Sequence, residues 1–205
     1  MSARFGALGF TQTILSPWAK GISAPAQNRY NDQNDWQGEH RLPQDYYLTW
    51  EEYHQKIEQL AQKIYDSGWE FDQILAIARG GLRVGDICSR MFQKPLAILM
   101  AQSYTGKQQG CLRLAPHITT TQAQLGPRLL VVDDLVDSGK TLGHVVSYLW
   151  QNPQIVELRT AVIWVKGHAQ FPPDYYVEFL PHNPWIHQPF EPYDHWQFAP
   201  NPRAT

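Results

Sequence analysis

Short apolar runs alternate with amphipathic stretches through the middle of this chain. Thr49-Trp50-Glu51-Glu52 has the form of a capping box, with threonine as the N-cap and glutamate three residues on. Tyr53, Ile57, Leu60 and Ile64 then recur at helical spacing, and Gly68 closes the predicted helix. Gln73 to Ala78 (QILAIA) is short, apolar and strand-like; it ends at Arg79-Gly80-Gly81, and Leu82 to Phe92 can continue as a helix. Leu96 to Ala101 (LAILMA) and Arg128 to Val132 (RLLVV) are further strands. The latter is followed by a polar loop and a helix reaching about Trp150. Leu158 to Val165 and the shorter Tyr175 to Phe179 complete the set. Wholly apolar strands separated by helices predict a parallel α/β sheet covered on both faces, with ligands beyond the carboxyl ends of its strands.

The flanks have another character. Up to Asn31 there is no acidic residue, only Arg4, Lys20 and Arg29 among Gln, Asn, Ser, Gly and Pro. An acid-poor leader of this kind is compatible with a transit peptide, but residues 1–45 read more simply as an irregular extension packed on the domain. The stretch after Pro181 is rich in proline and aromatics, with little periodicity, and residues 199–205 read as a tail.

Composition narrows the classes. The 205 residues are 43% hydrophobic and 18% charged, values of a globular protein, and a chain of this length buries roughly 70% of its surface. Seventeen Lys and Arg against nineteen Asp and Glu leave a net charge of −2, which argues against a nucleic-acid coat or a membrane-surface patch. There is no apolar run of transmembrane length and no continuous apolar stretch of a secretory signal near the N-terminus. Cys88 and Cys111 cannot make a disulfide framework or a four-ligand zinc site by themselves, so a reducing, cytoplasmic location is expected.

The densest chemistry lies in Val131-Val132-Asp133-Asp134-Leu135-Val136-Asp137-Ser138-Gly139-Lys140-Thr141-Leu142. Two adjacent carboxylates at a strand end are costly to keep ionised unless they meet hydroxyls or a cation. Ser-Gly and Thr at a helix start offer backbone N–H groups and a helix dipole to a phosphate. Diol acceptors and phosphate donors about a sugar's length apart suit a ribose 5-phosphate. A P-loop is excluded, because its pattern needs glycine where Asp134 stands. At the first strand's end, Gly80 and Gly81 allow close approach of backbone N–H groups to an anion, and Arg79 adds a forked cation. Ser103 to Pro127 is long, polar and glycine-containing, the character of a lid or an exposed hairpin.

The Asp133–Thr141 segment resembles the ribose-phosphate signature of the type I phosphoribosyltransferases, enzymes that use 5-phosphoribosyl 1-diphosphate (PRPP). The resemblance runs roughly from Tyr46 to Asp194. It implies that Asp133 and Asp134 hold the ribose hydroxyls, directly or through magnesium, and that Asp137, Ser138, Gly139, Lys140 and Thr141 wrap the 5-phosphate. Asp137 also resembles the family's acid beside purine N7. Arg79-Gly80-Gly81 resembles the pyrophosphate loop, which in the family carries a non-proline cis peptide, expected here at Ala78–Arg79. Ser103 and Tyr104 resemble the start of the family's lid, where Lys107 would reach pyrophosphate.

Lys166 follows an apolar strand, and Trp185 comes 19 residues later in Asn183-Pro184-Trp185-Ile186-His187-Gln188-Pro189. This separation resembles that of the bacterial xanthine–guanine phosphoribosyltransferases. The resemblance implies that Lys166 donates to the purine 6-oxygen, Trp185 stacks on the ring and the Ile186 backbone meets the position-2 edge. Those enzymes carry an acid where this chain has His187, and glycine where it has Lys140. His182, His187 and His195 lack zinc-motif spacing and read as scattered polar residues; neither cysteine has a flanking base that would make it a nucleophile.

The expectation is therefore a Rossmann-like parallel-sheet domain over residues 46–198, with a small hood near residues 166–198. It would move the 5-phosphoribosyl group of PRPP to N9 of guanine, xanthine or hypoxanthine, with Mg2+. The partners expected are PRPP and a purine base, in a homo-oligomer (dimer or tetramer) without nucleic acid. Transfer to another base is one alternative, although Lys166 opposes adenine, whose position 6 is itself a donor. The other is a PRPP-sensing module that binds without turnover.

Overall fold

A computed structural model of the protein describes residues 45–103 and 112–198. The first long element owes its start to the anticipated cap. Thr49 Oγ1 accepts from the Glu52 N–H at 3.2 Å, and the Glu52 carboxylate accepts from the Thr49 N–H at 2.8 Å. A two-residue strand, β1 (Tyr46–Tyr47), precedes this cap, and α1 (Trp50–Asp66) follows it. Tyr53, Ile57, Leu60 and Ile64 are fully buried on one face of α1; each such side chain contributes about 1.5–3 kcal/mol of burial, as an upper estimate. Gly68, at φ +68°, turns the chain away after the C-cap.

The core alternates strand and helix as the apolar runs predict: β2 (Gln73–Ala78), α2 (Gly81–Phe92), β3 (Leu96–Ser103). Two short strands, β4 (Leu112–Leu114) and β5 (Thr119–Thr120), come before β6 (Arg128–Val132) and β7 (Leu135–Val136). Then come α3 (Lys140–Leu149), β8 (Glu157–Lys166), β9 (Tyr175–Leu180), β10 (Ile186–His187) and a 3-10 turn at Glu191–His195. β3, β2, β6, β8 and β9 lie side by side and all parallel, while β4 and β5 run antiparallel to β3. Alternation along the strands divides the core. Ile74, Ala76, Leu130 and Val132 face α1 and α2; Leu75, Ile77, Leu129 and Val131 face α3 with its Leu142, Val145 and Leu149.

Several expectations need correcting. Part of the long polar segment is strand, because residues 112–114 and 119–120 complete the edge of β3. The polar loop after β6 resumes as β7. Val132 stands opposite Ala161 and Leu135 opposite Trp164, so pairing with β8 continues without slip across Asp133-Asp134. The hood also reaches outside residues 166–198: β1 pairs in parallel with β10, with the Tyr46 N–H on Trp185 O at 2.7 Å and the Leu48 N–H on His187 O at 3.1 Å. Beneath it, Trp164 Nε1 donates to Glu178 at 2.9 Å, and Glu178 also pairs with Lys56 of α1.

Candidate active site

Asp133 and Asp134 interrupt an otherwise continuous line of strand at the carboxyl ends of the parallel sheet. The break is held from both sides: the Asp133 N–H donates to Ala161 O at 3.1 Å, and Asp134 O accepts from the Ile163 and Trp164 N–H groups at 3.0 and 3.2 Å. The α2 start packs against the same break. A Cβ on Gly81 would lie 2.5 Å from Val132 O and 2.9 Å from Asp133 Cα, and one on Gly80 would collide with the Asp134 carboxylate. Only glycines let this turn come so close. The Ala78–Arg79 peptide that leads into it is cis, as expected.

These elements floor a cleft of about 450 Å3. Arg79, Gly80, Arg83, Asp133, Asp134 and Thr141 line it from the sheet side, and Gln188, Phe190, Glu191 and Asp194 from the hood. Burial, and next the neighbouring Asp134 charge, push the Asp133 carboxyl well above the usual carboxylate range. The Gly81 and Asp134 N–H groups oppose that by donating to it, the latter at 2.9 Å. Burial and then the Asp134 charge also push the Tyr53 phenol up, and its buried hydroxyl has no hydrogen-bond partner among the described residues. Arg79 spans the cleft to Asp194 at 3.3 Å with an 80% exposed side chain, an ion pair weak enough to open for an anion.

The start of α3 follows from local backbone. Gly139 caps α3 at φ +82°, no side chain caps this end, and the first turn carries no acid. A Cβ on Gly139 would meet Phe171 N at 2.7 Å, so glycine serves both the left-handed turn and the close packing. Ser138 and Lys140 flank it, and Thr141 faces the cleft.

Asp137 and Lys166 lie outside the residues lining that cleft but are brought together with a partner the sequence did not single out. Lys166 Nζ is 3.2 Å and His168 Nε2 3.1 Å from Asp137 Oδ1. Lys166 is buried, and its ammonium sits 5.6 Å from the Trp185 ring centroid. Trp185 is 59% exposed. Ile186 is buried, so its backbone is what it can offer. Since Trp185 and His187 turn their carbonyls to β1, the Ile186 N–H and C=O face the other way. His187 is not merely scattered: it stacks on Tyr47 at 4.2 Å and stands 3.2 Å from Asp45 and 3.4 Å from Glu191.

Arg83 and Gln188 were also missed. Arg83 rests 4.0 Å above the Phe190 ring, and Gln188 Nε2 donates to Asp134 Oδ2 at 2.6 Å. Both stand apart from any motif spacing, although Gln188 directly follows the Trp185-Ile186-His187 run. Ser103 ends β3; Tyr104, Lys107 and Cys111 lie outside the described residues. Burial pushes the Cys88 thiol up to about 12, which leaves it inert as a nucleophile.

Known proteins of similar sequence and fold point to one family. The phosphoribosyl transferase domain model matches residues 44–195. A xanthine-guanine phosphoribosyltransferase of Idiomarina loihiensis is 27% identical over 154 residues, 74% of this chain and 90% of that one. The crystal structure of a purine phosphoribosyltransferase from Pyrococcus horikoshii Ot3 superposes with a TM-score of 0.61 at 30% identity, covering 72% of this chain and 93% of that one. A Helicobacter pylori xanthine-guanine-hypoxanthine phosphoribosyltransferase shares the fold at a TM-score of 0.61 and 22% identity, over 70% of this chain and 91% of that one.

Proposed function

Because the chain belongs to the phosphoribosyl transferase domain family and is a PRPP-dependent enzyme, we propose that its acceptor is a 6-oxopurine: guanine, xanthine or hypoxanthine. The observation that carries this reading is the convergence at Asp137. An acid of the ribose-phosphate loop stands 3.2 Å from a buried lysine, which in turn lies 5.6 Å from an exposed tryptophan ring. A flat base stacked on Trp185 would find a cation for its 6-oxygen and a carboxylate for its N7 proton together.

In this reading the Asp133 and Asp134 carboxylates receive the ribose hydroxyls. The backbone at Ser138–Thr141 and the α3 N-terminus receive the 5-phosphate, and Arg79, Gly80 and Gly81 receive the pyrophosphate. The C1–oxygen bond to pyrophosphate breaks with its electron pair on the leaving oxygen. The N9 lone pair forms the new bond to C1, and the N7 proton passes to Asp137. Positioning and charge stabilisation supply the catalysis, with no covalent intermediate. The donor set fits magnesium: two adjacent carboxylates, one pushed well up by burial and then by the other's charge, gain from a hard cation with oxygen ligands. Asp133 and Asp134 would hold it, and it would supply positive charge to offset that of the leaving pyrophosphate. Residues 46–198 form the transferase domain of this cytoplasmic enzyme, with residues 1–45 as an extension and 199–205 as a tail.

The test is a panel of nucleobases, each incubated with PRPP and magnesium. A nucleoside 5-monophosphate and pyrophosphate are expected from one or more 6-oxopurines and none from adenine. Absence of nucleotide from every base would favour a PRPP-binding module without turnover.

A further inference from the structure

Transfer to a neutral base leaves one proton to be disposed of, and the Asp137 carboxylate that receives it must be emptied before the next cycle. Of the two side chains at Asp137 Oδ1, Lys166 is buried and a hydrogen-bond donor only. His168 is an imidazole, a group that exchanges protons near neutral pH. Its side chain is 47% exposed and that of Asp137 58%, so once a base covers Asp137 the imidazole still joins the carboxylate to solvent.

The contact is built into the fold from several directions. His168 lies in the turn after β8, whose Gly167 N–H donates to Leu180 O at 2.9 Å and whose Ala169 N–H donates to Lys166 O at 3.0 Å. The Gln170 N–H donates to Ser138 O at 3.0 Å, the carbonyl of the residue next to Asp137. One residue further, Phe171 packs on Gly139 so closely that a Cβ there would lie 2.7 Å from its N atom. The His168 turn and the Asp137 loop are therefore fastened to each other at two points beyond the side-chain contact. Among the described residues, the ionisable side chains recorded against this pair are each other and Lys166.

We propose that His168 relays the proton released by the transfer reaction from Asp137 to solvent, and so resets the carboxylate for the next base. The proposal rests on the assignment of Asp137 above. The balance is simple: the N7–H electron pair stays in the purine ring, the proton moves to the Asp137 carboxylate, then to the neutral imidazole, and the imidazolium gives it to water. No oxidant, reductant or co-reactant is needed. His168 acts through Asp137 and is a positioning and relaying residue; it does not touch the substrate.

The test compares single-turnover and steady-state nucleotide formation, with PRPP and whichever oxopurine the panel identifies, in wild type, His168→Gln, His168→Ala and Asp137→Asn. Asp137→Asn should keep PRPP binding and lose about 10²-fold or more in turnover. His168→Gln should lose about 10-fold in steady-state kcat at pH 7, with the first turnover and both kcat/KM values nearly unchanged, because resetting rather than chemistry is slowed. Its kcat should rise with buffer concentration, and added imidazole should restore much of the kcat of His168→Ala while leaving wild type unaffected. A His168→Gln enzyme with wild-type kcat and pH profile, beside an impaired Asp137→Asn, would overturn the relay and leave the role of Asp137 standing. Full turnover in Asp137→Asn would overturn both.

Discussion

Gln188 of the hood donates its side-chain amide to Asp134 at 2.6 Å, joining the segment that carries Trp185 and Ile186 to the acid pair between β6 and β7. The bond is charge-assisted, and one such bond is worth about 1.5–3 kcal/mol. Removing it in Gln188→Leu should weaken PRPP binding by about tenfold, since a decade corresponds to about 1.4 kcal/mol. Steady-state kinetics should show this as a raised KM for PRPP with kcat little changed. An unaltered KM would mean that Asp134 is oriented by β8 alone.

Trp185 offers a free aromatic face beside the Lys166 ammonium. Stacking adds about 0.5–1.5 kcal/mol beyond area burial. Trp185→Ala should therefore raise the KM for the base by about tenfold while the KM for PRPP holds, and Trp185→Phe should recover most of the loss. A parallel rise in both KM values would assign Trp185 to hood packing.

Gly81→Ala is expected to be among the most damaging single substitutions. Its methyl group would meet Val132 O and the Asp133 backbone, and neither is a flexible side chain that can swing away. Either the α2 turn moves off the acid pair or the break between β6 and β7 deforms. Thermal unfolding should show a loss of about 2–4 kcal/mol, and calorimetry should show loss of PRPP binding. Retention of both would place the two elements further apart than the structure has them.

Asp72, just before β2, accepts from the Arg128 N–H at 3.0 Å and from Arg128 Nη2 at 3.1 Å, which ties the starts of β2 and β6. The Arg128 side-chain hydrogen bond is the main cause holding this carboxyl below its ordinary value. A depressed value in the folded protein adds stability that is present above the unfolded value, about pH 4, and is lost as pH falls through the folded one. With solvent screening, Asp72→Asn should cost about 1 kcal/mol at pH 7. The gap to wild type in thermal melts should start closing below about pH 4. A gap independent of pH would remove the ion pair as its origin.

How far the chain could be read without coordinates depended on element length. The capping box at Thr49 and Glu52, the stripe on α1 and the limits of β2 and β6 were visible because each has a local cause: a side-chain cap, a 3.6-residue period, an unbroken apolar run. β1, β4, β5, β7 and β10 span two or three residues, too few for any period, and they exist only because a partner strand presents free backbone groups to them. The site divided in the same manner. Asp133 to Thr141 is contiguous, so its acids, glycine and hydroxyls stand out as one group in the sequence. Gln188, Arg83 and His168 reach the same region from separate elements, and only the fold brings them there.

The ribbon of β1 and β10 fastens residue 46, ahead of the first helix, to residue 186, beyond the last long strand. Everything between them is thus a loop drawn shut by main-chain hydrogen bonds at Tyr46 and Leu48. A polypeptide trimmed to begin at Thr49 would retain every strand of the main sheet yet lose that clasp. The tryptophan shelf would then hang from one end, and what disappears first would be the grip on the acceptor rather than the fold.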